Sequence, residues 1–234
     1  MINKKKILAI VPARQNSKRL KNKNFLNFGG RPLLDFTVEK LLKIKIIDKI
    51  IITTDKKNLK LNLKKNKKIE YHYRSKKFST SKSPVFNTIY DLAKKNSSYD
   101  IVSYFLPTVP FTSLKDIKSG YKKVLKFKSC VSIIEYEDPI EIALRYNSNS
   151  KLVTPLFKNL SNNKTNSKML EKSYKPSGAF YITQKNSLLK NKTFFVKKTC
   201  GINYTSPYFV DINNSKDFEY AKFILKYRIN EKKN

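Results

Sequence analysis

Apolar residues in this chain fall into two alternating rhythms. Short, nearly unbroken runs at Ile7–Val11, Lys49–Thr53, Ile69–Tyr73, Ile101–Leu106 and Cys130–Ile134 have the length and β-branched content of buried strands. Between them, Leu33–Leu42, Val85–Lys95 and Leu114–Lys126 repeat their apolar positions at three- and four-residue intervals, which predicts helices. Strand and helix in alternation predict an α/β fold, a mostly parallel twisted sheet with helices on both faces. Ligands of such sheets gather at the carboxyl ends of the strands. The loop 14–24 falls there, as do Asp55, Arg74 and the Pro107-Thr108 pair.

From about Glu135 to Tyr174 the rhythm breaks. Residues 136–156 read as two or three antiparallel strands and Asn159–Ser173 as a polar loop rich in Asn and Lys. This insertion, about residues 136–174, has too little apolar surface to fold alone and must pack on something. The earlier pattern returns at Gly178–Thr183 and Pro207–Val210, and a helix is expected over roughly Ser215–Tyr227. The 234 residues suit one domain carrying this inserted arm, with no internal repeat and no linker.

Charge changes the picture less than its size suggests. A formal net charge of +33 first points to nucleic acid or an acidic membrane. Yet only six of the 50 basic residues are Arg, the side chain whose planar fork reads phosphate and guanine bidentately. Lysine in excess everywhere, together with Asn and Ile, fits the codon bias of an AT-rich genome better than a binding surface. No specific nucleic acid is expected as a partner. Cys130 and Cys200 stand alone without a C-x-x-C, so neither a zinc site nor a redox pair is indicated. No run approaches 18 apolar residues and the N-terminal Lys-rich stretch leads straight into a strand, so the reading is a soluble cytoplasmic protein with no membrane partner.

The candidate chemistry starts where the first strand empties into a loop with five cations between Arg14 and Lys23. A cationic loop at the edge of an α/β sheet suits phosphates. It is neither a Walker A nor a G-x-G-x-x-G sequence. Ala13, Arg14, Ser17, Lys18, Lys23 and Asn24 do match a pattern of the form A-R-x-x-S-K-x-x-x-x-K-N. The chain thereby resembles the acylneuraminate cytidylyltransferase (CMP-sialic acid synthetase) family, from Ile7 to about Tyr227. Short stretches at 107–111, 139–147 and 167–174 look more like its pseudaminic acid branch.

The resemblance implies a Rossmann-like nucleotidyltransferase fold, a dimerisation arm at the insertion and a homodimer. It implies CTP as one substrate and a nonulosonic acid as the other, with CMP-sugar and pyrophosphate as products. By resemblance, Ala13, Arg14, Ser17, Lys23, Asn24 and Arg74 bind the nucleotide, and Arg14, Lys23 and Asp211 carry catalysis. Mg²⁺ is the implied cofactor. The family's D-I-D here reads Asp211-Ile212-Asn213, and residues two apart on an extended strand converge on one ion. Asn213 replaces a carboxylate with an amide, which predicts a weaker metal requirement. Asp217 instead suits the start of the last helix.

On the sugar side the chain departs from the family. Leu106 stands where members that act on N-acetylneuraminate carry Gln, Glu141 replaces a Lys of the arm, Ser167-Lys168 replaces an Arg-Gln pair and Ser177 replaces an Asn before Gly178. Leu106, Thr108, Glu141, Arg145, Ser177 and Gly178 are thus the candidate sugar-binding residues, with Arg145 a cation for the sugar's carboxylate. Four changes beside an intact phosphate loop imply a different sugar. Two alternatives stay open: the same chemistry on another acid such as Kdo, and a non-catalytic nucleotide- or RNA-binding protein.

Overall fold

The first strand shows how this sequence sorts itself into layers. In β1 (Ile7–Pro12) every residue from Ile7 to Val11 is wholly buried, yet neighbours face opposite ways. Ile7, Ala9 and Val11 join one core cluster, and Leu8 and Ile10 join another. A strand that is apolar at every position therefore needs cover on both faces. Each fully buried Leu or Ile contributes about 1.5–3 kcal/mol relative to exposure. The computed structural model describes residues 4–15, 17–74, 84–163, 166 and 169–231.

The ribbon β2 (Asn27–Phe28) and β3 (Arg31–Pro32) leads into α1 (Leu33–Leu42). There follow β4 (Lys49–Thr54), β5 (Ile69–Tyr73), α2 (Val85–Lys95), β6 (Ile101–Phe105), α3 (Leu114–Lys123) and β7 (Ser129–Glu135). Then come β8 (Leu144–Tyr146), β9 (Val153–Pro155), the single turn α4 (Lys158–Ser161), β10 (Tyr174–Gln184), α5 (Lys185–Asn191), β11 (Thr199–Asn203) and α6 (Ser215–Glu231). Seven strands form one sheet in the order β11-β7-β10-β6-β1-β4-β5. Strands β6, β1, β4 and β5 run parallel, and β10 is antiparallel to β6. Helices α1 and α3 close one face through Leu34, Val38, Leu41, Ile117 and Tyr121, while α2 and α5 close the other through Ile89, Leu92 and Leu188. A third cluster seats α6 on Phe28, Phe111 and Ile212.

The predicted fold class holds, and α1, α2 and β5 have the predicted bounds. Other bounds differ: the last helix runs four residues past its expected end, and β10 starts four residues before its expected start. Helix α3 stops at Lys123, with Val124 as its C-cap, three residues before the predicted end. Pro207–Val210 joins no ladder, and α5 and β11 occupy a stretch for which the sequence pattern predicts no element. Among the described residues no helix is long and apolar enough to cross a membrane.

The chain divides into two compact units, Met1–Ser132 with Ser177–Asn234, and Ile133–Pro176. The smaller holds a 3₁₀ turn at Ile140–Ile142 and one antiparallel ribbon, β8–β9, with Arg145 opposite Thr154. Its polar segment after β9 includes α4. Leu144, Tyr146, Leu152, Val153, Leu156 and Phe157 are all more than 40% exposed there, an unusual share of large apolar side chains for so small a unit.

Candidate active site

Four segments of the larger unit meet at the carboxyl ends of β1, β4 and β6. The first is the loop after β1. Asn22 adopts the left-handed region (φ 55°), which Asn tolerates better than most residues, and opens a 3₁₀ turn over Lys23–Phe25. That turn aims Lys23 back across the loop, where Nζ donates to the Ile212 carbonyl at 2.8 Å. Asn24 is buried and its amide Nδ2 donates to the Arg14 carbonyl at 3.0 Å, closing the loop on itself. At the loop's other end, the Gln15 N–H donates to Asp55 Oδ1 at 2.6 Å.

The second segment is Asp211-Ile212-Asn213. It belongs to no ladder, so the expected extended strand is absent, yet positions 211 and 213 do converge: Asn213 Nδ2 donates to Asp211 Oδ2 at 2.9 Å. Arg19 Nη2 donates to Asn213 Oδ1 at 2.7 Å. A guanidinium only donates and a carboxylate only accepts, so both partners orient the amide the same way. Arg19 is not among the residues that match the family pattern; its scarcity as an Arg in a Lys-dominated chain is the sequence signal that could have singled it out. The Ile212 N–H donates to the Thr108 carbonyl at 2.9 Å, which fixes this segment to the loop after β6. Asp217 takes the helix-start role: its Oδ2 accepts from the N–H groups of Asn213 and Asn214, and its own N–H donates to Asn214 Oδ1.

The charges interact. Burial pushes the Lys23 ammonium below its usual pKa; Asp211 opposes that shift, and Arg19 and Arg14 reinforce it. Arg74 follows β5, is 4% exposed, donates from Nη2 to the Thr53 carbonyl at 3.2 Å, and feels both Asp55 and Arg14. Burial lowers its pKa too, as the main cause. Arg14, Arg19 and Lys23 therefore make a cationic wall whose nearest opposing charges on the Lys23 side are Asp211 and Asp217.

The third and fourth segments form an uncharged wall. Gly178 in β10 has φ +78°, and a Cβ added there would lie 3.6 Å from Leu106 and 3.7 Å from Val109. The strand thus turns its backbone toward the Leu106–Val109 loop in a conformation that favours glycine. Ser177 is buried, and its hydroxyl donates to Ser132 Oγ at 2.7 Å rather than presenting itself to a ligand. Thr108 is also buried. Next to them Tyr104 and Tyr181 stack in parallel, centroids 4.5 Å apart. Ala13 is buried and its N–H holds the Thr53 carbonyl at 2.9 Å; Ser17 is half-buried.

Arg14, Lys23, Asn24, Thr108, Asp211 and Asn213 are thus linked, directly or through one residue, by the bonds above. Glu141 and Arg145 belong to the smaller unit, Glu141 half-buried in the 3₁₀ turn and Arg145 exposed in β8. Ser167 and Lys168 lie outside the described residues. Among the described residues no three His, Cys, Asp or Glu side chains gather as a metal cluster. The available hard-oxygen donors are the Asp211 carboxylate and the Asn213 amide, which suit Mg²⁺ shared with phosphates rather than a protein-only cage. His72, the single histidine, shares a hydrogen bond with Thr53 Oγ1 at 3.1 Å inside the sheet. The two cysteines, unrelated by spacing, meet on neighbouring strands β7 and β11, where burial and the Cys200 thiol push Cys130 up to about 12.

Comparison with known proteins bears on the family and the fold. A family model described as cytidylyltransferase matches residues 8–200. A pseudaminic acid cytidylyltransferase of Campylobacter jejuni (strain 81-176) is 29% identical over 94% of this chain and 97% of its own length. An N-acylneuraminate cytidylyltransferase of Escherichia coli O18:K1:H7 is 29% identical over 98% of this chain, which spans 58% of that longer protein. Among solved structures, 4-diphosphocytidyl-2C-methyl-D-erythritol synthase from Anaerococcus prevotii superposes with a TM-score of 0.69, covering 96% of this chain and 98% of its own, at 18% identity, a likeness of fold.

Proposed function

Because the chain belongs to the cytidylyltransferase family, we propose that it activates a nine-carbon sugar acid of the acylneuraminate type, CTP and the acid giving a CMP-sugar and pyrophosphate. The observation that carries this reading is the joining of the Arg14–Asn24 loop to Asp211–Asn213 through Lys23 and Arg19, at 2.8 and 2.7 Å. Cations gathered beside a carboxylate in this way support a triphosphate site with a divalent ion. The names of the relatives support the sugar class.

In the reaction the sugar hydroxyl loses its proton to solvent as its oxygen bonds to the α-phosphorus of CTP, and the bond from that phosphorus to the oxygen bridging to the β-phosphate breaks, releasing pyrophosphate. Arg14 and Lys23 neutralise the charge that moves onto the departing pyrophosphate, a contribution made before the reaction by their fixed positions. Asn24 holds the loop closed through the Arg14 carbonyl, and Arg74 binds the nucleoside end. Leu106, Thr108, Ser177 and Gly178 form the sugar wall by shape and backbone. Mg²⁺, held by Asp211 with Asn213, supplies charge neutralisation on the phosphates when bound.

Asn213 as a ligand must share its Oδ1 with Arg19, which favours a weak metal site with Asp211 as its main donor. The exposed apolar residues of Ile133–Pro176 support a homodimer formed through that unit, to be read by sedimentation velocity. The cytoplasm is the proposed location. The nucleotide half of the reading is tested by titrating CTP, UTP and ATP with Mg²⁺ into the protein and into Asp211→Ala. CTP should bind at least tenfold tighter than ATP, and Asp211→Ala should need several-fold more Mg²⁺ for turnover. Equal binding of all three nucleotides would count against it.

A further inference from the structure

A second cationic cleft, of about 610 Å³, opens between α1, the start of α3 and the end of α6, and shares none of its lining with the residues assigned to catalysis or substrate. Phe36, Lys40, Phe111, Leu225, Arg228 and Ile229 line it. Its volume is in the range that small ligands occupy.

Two cations are built into its wall at close quarters. Lys40 reaches across to donate to the Pro110 carbonyl at 2.7 Å, which uses one of its three donors. Arg228 lies over two rings, 5.4 Å from the Phe111 centroid and 5.9 Å from that of Tyr208. Aromatic stacking fixes a guanidinium without using its fork of hydrogen-bond donors. Burial first, then Arg228 and Lys43, push the Lys40 ammonium down to about 8, with Glu39 opposing.

The neighbouring carboxylates are committed elsewhere. Glu39 accepts from Arg31 at 2.5 Å and pairs with Lys43 at 3.1 Å. Asp116, beside the cleft, accepts from the Thr205 N–H and hydroxyl at 3.1 and 2.6 Å. Among the described residues, no carboxylate lies within ion-pair distance of Lys40 or Arg228. Two like charges held together at an apolar wall, with the nearest carboxylate, Glu39, already paired to Arg31 and Lys43, favour an anion between them. A +33 chain has lysine to spare on every surface, but this pair is drawn into a cavity, and one member is among only six arginines.

We infer that this cleft is a binding site for a small organic anion, its phosphate or carboxylate held between Lys40 and Arg228 and its apolar or aromatic body packed on Phe36, Phe111 and Leu225. The site is separate from the one that takes the triphosphate. It is also reached by α6, whose first turn carries Asp217 and whose last turns carry Arg228.

The test is calorimetric titration of phenyl phosphate and benzoate, with inorganic phosphate and benzyl alcohol as charge-only and body-only controls. It is run on the unaltered chain and on Lys23→Ala, which weakens the phosphate loop. At least one aromatic anion should bind one equivalent in Lys23→Ala, at least tenfold tighter than either control. Arg228→Gln and Lys40→Met, each placed in the Lys23→Ala chain, should weaken that binding at least tenfold, and Arg228→Lys should recover part of it. With Lys23 intact, Arg228→Gln should leave cytidylyl transfer unchanged in the absence of the anion. Inorganic phosphate binding as tightly as phenyl phosphate would reduce the site to the general field of the protein and overturn the inference. So would equal affinity in Arg228→Gln and Lys40→Met, whose folding is checked by circular dichroism.

Discussion

The two walls of the candidate site are built on opposite principles. The cationic wall spends its side chains on display: Lys23, Arg19 and Asn24 are each anchored by one bond to Ile212, Asn213 or Arg14. The wall made by Leu106–Val109, Ser177 and Gly178 shows little polarity, because Ser177 is turned inward to Ser132 and Thr108 is buried. Phosphate binding requires particular charges at particular spacing, so few residues serve. A sugar can be held by shape, backbone groups and apolar contact, which many residues supply. The first wall is therefore specified by side-chain chemistry and the second by backbone geometry.

The largest expected effect comes from breaking the first wall. Lys23→Ala should lower kcat/KM by about 10²–10³, the scale of losing one preorganised donor to transition-state charge. The melting temperature should move by no more than a few degrees, since the lost bond to Ile212 is offset by relief of a buried charge. Undiminished turnover would show that the wall does not serve the triphosphate.

A smaller effect should follow from reshaping the second wall. Leu106→Gln adds an amide beside Gly178 and should change the preference between two nine-carbon acids by about tenfold, leaving KM for CTP unaltered. A change in KM for CTP with no change in sugar preference would place Leu106 on the nucleotide side.

The smallest effect distinguishes the walls by pH. Burial holds Lys23 below the usual lysine pKa, and the proposed phosphate contact requires its protonated form. Affinity for CTP should therefore decline as pH rises toward the alkaline range, earlier than an exposed lysine would allow, while sugar affinity stays level. Parallel decline of both would assign the titration to something other than Lys23.

How much of this was legible beforehand follows the same division. The layers could be read because Ile7–Val11 is apolar at every position and α1 and α2 repeat at helical spacing. Lys23 and Asn24 could be singled out because the family pattern they match runs over a short local stretch from Arg14. The partnership of Arg19 with Asn213 spans 194 residues, and no periodicity carries such a pairing. Cys130 and Cys200 meet only because β11 was laid beside β7, and β11 itself has too few apolar residues to announce a strand. Lys40 and Arg228 likewise come together through the packing of α6. Ser177 looked like a ligand contact because it replaces a polar neighbour of Gly178, and its inward turn depends on Ser132 from another strand.

The most direct test of the central claim is pyrophosphate release with CTP and Mg²⁺, offered pseudaminic, legionaminic and N-acetylneuraminic acid and Kdo in separate assays. Release with a nine-carbon acid, and a matching CMP-sugar by mass spectrometry, is the predicted result. Release with Kdo alone, or silence with all four from a folded protein that does not bind CTP, would contradict it.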